Sequence, residues 1–130
     1  VTRFRLRELA HARAGDKGDT CNIGVVAYRR DDYPLLLAQV TVARVARHFG
    51  ALVRGPVTRY ELPRLAAINL VLERALGGGV TRSLSLDPHG KSYSALLLTL
   101  PVDVPPEVAT RLLAAGRIPV PDEPEEEPPR

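Results

Sequence analysis

One cysteine, aromatic side chains at 5% and only two lysines, Lys17 and Lys91, are what this 130-residue chain has least of. The lone Cys21 has no partner for an internal disulfide. The opening VTRFRLRELA lacks the apolar centre of a secretory leader, so a reducing, cytoplasmic setting is expected. The longest apolar stretches, such as 95–98, fall far short of the ~20 residues that cross a bilayer, which argues against a membrane protein. His11, His48 and His89 stand far apart, with no HxH, HxxxH or CxxC spacing, so neither zinc nor iron is expected. No cofactor is expected either. Scattered aromatics and a general bias towards arginine do not form the clustered basic stripe with stacking aromatics of a nucleic-acid binder.

What remains is the composition of an ordinary globular protein, 45% hydrophobic and 25% charged. Residues 1–120 are expected to fold as one domain with a core of its own. Residues 121–130 hold five acids and one arginine among prolines and are expected to be disordered. The net charge of +3 therefore conceals a folded part at +7.

Along the chain, RFRLR at 3–7 alternates as a half-buried strand does. HARAGDKGDTCN at 11–22 has glycines and no apolar periodicity and reads as a loop, before IGVVAY at 23–28 as a strand buried on both faces. Asp31 and Asp32 ahead of Tyr33-Pro34 start a short helix. Thr41 precedes a helical face of Val42, Val45, Ala46, Phe49, Leu52 and Val53, which Gly50 shortens. VTRYEL at 57–62 is a strand. Pro63 then leads into an expected helix over 65–76 with Leu65, Ile68, Leu72 and Leu76 on one face. Leu70 falls about 160° from Leu72 on such a helix and would be exposed, a hint of a subunit contact.

Gly77, Gly78 and Gly79 stop that helix. VTRSLSL, the turn Asp87-Pro88-His89-Gly90 and SYSALLLTL predict a hairpin. A last helix is expected over 106–115. The order of elements predicts an α+β fold, a two-layer ferredoxin-like sandwich with a mostly antiparallel sheet and helices on one face.

Two segments stand out chemically. Gly15-Asp16-Lys17-Gly18-Asp19-Thr20 sets one lysine between glycines and acids, a loop able to hold an anion with backbone N–H groups and Lys17. It lacks the Gly-Lys-Ser/Thr ending of a phosphate-binding P-loop, and the plain alternative is a structural turn. In GGGVTR, Arg82 shares a face with Val80, Leu84 and Leu86 and can grip a carboxylate with its forked guanidinium, or else pair with an acid such as Glu61 or Asp16. Asn69, at the border of a core face, either orients a ligand or ties down backbone. Cys21 beside the glycine loop reads first as a small buried hydrophobe.

Three stretches, HARAGDKGDTCNIGVVAY, RYELPRLAAINLVLERALGGGVTRSL and SLDPHGK, occur in this order over most of residues 9–92. In these the chain resembles the small ferredoxin-fold domain at the C-terminus of AtuA-type acyclic terpene utilisation proteins. The resemblance implies a larger enzyme domain or chain as partner, and a setting in breakdown of branched or terpenoid acids through acyl-CoA intermediates. It directs attention to Arg13, Gly15, Asp16, Lys17, Gly18 and Asn22, and to Asn69, Gly77, Gly78, Gly79 and Arg82, as a ligand surface. The resulting expectation is an accessory subunit that joins a larger AtuA-like chain and copies of itself and binds a small acidic or acyl-CoA metabolite. The alternatives are a free-standing lyase, hydratase or isomerase using Lys17 or Asp16, and a purely structural oligomerisation domain.

Overall fold

The computed structural model describes residues 2–75 and 91–121, with the side chains of Lys91 and Ser92 left aside. The predicted strand 80–86, the Asp87–Gly90 turn, Gly77, Gly78, Gly79, Arg82 and the tail 122–130 lie outside the described residues.

A short strand, β1 (Thr2–Arg5), passes through a single 3-10 turn at Leu6–Glu8 into β2 (Ala10–Lys17). β2 turns back at Gly18 and Asp19 into β3 (Thr20–Ala27). The segment expected as a loop at 11–22 is therefore a hairpin. Ala10, Ala12, Ala14 and Asp16 alternate with His11, Arg13, Gly15 and Lys17, a period-two pattern whose small alanines carry little hydrophobic signal. The reversal needs a left-handed residue, and Gly18 supplies it with φ of 62°.

α1 (Tyr33–Gln39) follows with Pro34 in its first turn, and α2 (Val42–Phe49) starts where the Thr41 side chain accepts from the Arg44 amide. Gly50 ends α2, as its position suggested, with φ of 57°. Val45 and Phe49 are buried, whereas Val42 and Leu52, expected on the same core face, are exposed.

β4 (Val57–Leu62) and β5 (Ala67–Leu72) form the next hairpin, across a 3-10 turn at Pro63–Leu65 closed by Ala66 in the left-handed region. The helix expected over 65–76 is not there. Ile68, Leu70 and Leu72 fit a two-residue period as well as Leu65, Ile68 and Leu72 fit a helical one, and hydrogen bonds to β3 and β4 decide for the strand. Leu70 is fully buried, not exposed, so it marks no subunit contact.

α3 (Lys91–Leu97) stands where the second strand of the 80–100 hairpin was expected. Its Ala-Leu-rich run favours a helix, with Leu97 buried and Ala95 exposed. β6 (Pro101–Val104) and α4 (Pro106–Ala114) complete the described chain, the latter close to the predicted 106–115.

Among the described residues the order from β3 to β6, β-α-β-β-α-β, is that of a ferredoxin-like α+β fold. The main sheet runs β2-β3-β5-β4, every neighbouring pair antiparallel, and β6 pairs with β1 in a second, two-stranded sheet. One core joins Ile23, Val25, Ile68, Leu70 and Leu72 of the sheet to Leu36, Val45, Phe49 and Leu97 of the helices. Each such side chain contributes about 1.5–3 kcal/mol on leaving water. The helices thus cover one face of the main sheet. Two polar contacts fix that layer: Arg111 of α4 pairs with buried Asp32 at 2.5 Å, and the Tyr33 hydroxyl donates to the Ala67 carbonyl at 2.8 Å.

Candidate functional site

Neighbouring residues of a strand point to opposite faces and paired residues share one, so register sorts the sheet. Cys21, Ile23, Val25 and Ala27 face the helices, which leaves Asn22, Gly24 and Val26 on the other side. β3 is accordingly buried on one face, not on both.

Three rows cross the side turned away from the helices. The central row is Arg13, Gly24, Asn69 and Tyr60; the row towards the β2–β3 turn is Gly15, Asn22, Val71 and Thr58. The row towards the other end is His11, Val26, Ala67 and Leu62. Arg13, Asn22, Tyr60 and Leu62 are exposed and Gly24, Asn69, Val71 and Val26 half-buried; small Ala67 alone is buried.

Arg13, Gly15, Lys17, Asn22 and Asn69, scattered over 13–69 in sequence, therefore share one face, which no other described element covers. Gly18 sits at its edge, in the turn. Asp16 does not join them: as the strand neighbour of Lys17 it points to the helix side, opposite Cys21. Cys21 is fully buried there.

Within the strands, the charged side chains of the open face are Arg13 and Lys17. None of its strand residues is acidic, and among the described residues Arg13 and Lys17 have neither an ion-pair nor a hydrogen-bond partner. Asn22 and Asn69 likewise make no side-chain hydrogen bond among the described residues. Gly15 leaves room for Asn22, whose Oδ1 lies 2.9 Å from where a Cβ on Gly15 would sit. At the turn end, the Ala75 amide donates to the Asp19 carbonyl, and the Tyr93 hydroxyl donates to the Ala75 carbonyl. Ala75, last described residue before Leu76, is thus fastened to the Gly18-Asp19 turn.

Among the described strand residues, Arg59 of β4 is the arginine on the helix side of the main sheet. It donates to the Leu37 and Val40 carbonyls at 2.7 and 3.0 Å and pairs with Glu61 at 3.0 Å, a structural tie between β4 and α1. Sequence reasoning also passed over Gly24 and Tyr60 on the open face. The signal for Gly24 was a single glycine inside IGVV, since a glycine within a strand marks a bulge or a close approach. The signal for Tyr60 appears only once register sets it opposite Asn69.

These features define an α+β ferredoxin-like domain whose described helices lie on one side of its main sheet, with Arg13 and Lys17 on the side that no other described element covers. The model of the AtuA ferredoxin-like domain matches residues 4–103, and the chain belongs to that family. No curated protein and no solved structure matches it. Among the described residues no helix is long and apolar enough to cross a membrane.

Proposed function

We propose that this domain is an accessory unit of a larger AtuA-like enzyme chain, acting in cytoplasmic breakdown of terpenoid or branched acids. The open sheet face would seat against that chain and help to hold an acidic metabolite at the seam. The carrying observation is the gathering of Arg13, Gly15, Lys17, Asn22 and Asn69 on one uncovered face without an acid among its strand residues. On this face two cations without partners among the described residues stand beside exposed Tyr60 and Leu62, a combination of charge and apolar surface suited to contact.

The enzyme alternative draws less support, since Asp16 and Lys17 point to opposite sides and cannot serve one proton transfer together. An oligomer held through Leu70 loses its motive, because that side chain is core. Self-association through the open face stays within the proposal.

Co-expression with a large AtuA-like chain followed by size-exclusion chromatography tests it. Val71→Asp, on the open face, should abolish co-elution and any association of copies, while Ala46→Asp, exposed on the helix side, should leave both intact. Co-elution indifferent to Val71→Asp, or a chain that is strictly monomeric beside its partner, would sink the reading.

A further inference from the structure

Among the described residues nothing requires glycine at position 24. It sits in the middle of β3, paired on both sides, where glycine weakens a strand by conformational entropy and by the lack of a side chain to pack. A Cβ built there would meet nothing within 4 Å, and its backbone is outside the left-handed region. Gly15, by contrast, is explained by Asn22 and Gly18 by its turn. Among the described residues nothing occupies the space over Gly24, which leaves its bare backbone open to a group from outside.

Its flanks say what kind of group that is. Across β2 stands Arg13 and across β5 stands Asn69, each about 4.8 Å away in the sheet. A guanidinium on one side and a primary amide on the other offer donors to both oxygens of one carboxylate. Neither group has a partner among the described residues to surrender. The adjoining row, about 7 Å along the strands, is apolar at Val26, Ala67 and Leu62, and exposed Tyr28 lies beyond it.

We propose that the saddle at Gly24, between Arg13 and Asn69, binds the carboxylate of an organic acid whose apolar body lies along Val26 and Leu62. This rests on the reading of the open face as the working surface and names what that surface holds. An acidic side chain of the larger chain would offer the same carboxylate, and the experiment separates the two sources.

The test uses the isotope-labelled full chain, titrated with hexanoate, acetate and hexan-1-ol and followed by NMR. Hexanoate should shift the Gly24 amide and the Asn69 side-chain amide saturably and bind about tenfold tighter than either acetate or hexan-1-ol, which each lack half of the recognition. Arg13→Gln should weaken hexanoate about tenfold or more. Gly24→Val fills the saddle with a good strand former and should abolish binding while the remaining spectrum keeps its dispersion. Shifts that map elsewhere, hexan-1-ol binding as well as hexanoate, or Arg13→Gln binding hexanoate unchanged would each overturn the proposal. So would a free chain that ignores hexanoate while Arg13→Gln stops co-elution with the larger chain, because the carboxylate would then be the partner's. Hexanoate binding retained without any co-elution would instead refute only the accessory role.

Discussion

Truncating Leu70 to alanine distinguishes the strand from the helix that the same residues could have formed. In β5 the side chain is fully buried, opposite Ile23 on one flank and Arg59 on the other, and belongs to the single core. Removing its isobutyl end loses transfer free energy and leaves a cavity in the centre of the sheet, where backbone hydrogen bonds on both sides prevent collapse. The expected cost is about 3–4 kcal/mol, within the range found for leucine truncations in cores. For a domain of this size that corresponds to a fall in Tm of roughly 10 °C or more. Urea unfolding should show the midpoint moving down with the m-value unchanged. Leu65→Ala is the control: Leu65 is 65% exposed, and its loss should cost under about 0.5 kcal/mol. A Leu70→Ala protein destabilised by less than about 1 kcal/mol, or one that changed only its state of association, would refute the strand assignment and the face on which the candidate site is built.

Removing the guanidinium partner of Asp32 should cost more than removing Asp32 itself. Arg111→Ala strands a carboxylate whose side chain is 5% exposed, while Asp32→Ala frees an arginine already 30% exposed. About 2–3 kcal/mol against 1–2 is expected, read by urea unfolding of both single variants and their double mutant. Thr41→Ala should cost about 1 kcal/mol through loss of the cap on the Arg44 amide, visible in the same assay. Cys21, fully buried, should react with a thiol reagent only as fast as the protein opens, so its labelling rate should rise with urea in step with unfolding.

Where local chemistry was strong, the sequence was enough. Thr41 ahead of a helical face, Gly50 as a stop, Pro34 in a first turn and the strand-forming residues of VTRYEL before Pro63 all announce their elements without help from the rest of the fold. Elements set by pairing were not legible. AINLVL satisfies two periods at once, and only the neighbouring β3 and β4 select one. HARAGDK alternates, but alanine is too small for its burial to show. SYSALLL is apolar on nearly every side and carries no phase. The candidate site was half legible for a related reason: its residue types attracted notice, but which of them share a face is a matter of register, which separated Asp16 from Lys17 and brought in Gly24 and Tyr60.

Register also explains why a ligand surface fits this sheet better than a catalytic cleft. A strand can present only alternate residues to one side, so Arg13, Gly15 and Lys17 share a face at the cost of sending Asp16 to the other. Cations then accumulate on the open side without the acids that neighbour them in sequence. Arg13 and Lys17 stand about 13 Å apart along β2, too far to repel each other appreciably in salt, so each is free to meet an anion on its own. At Arg13 that anion can approach the sheet closely only where no side chain stands in the way, which is the condition Gly24 meets among the described residues.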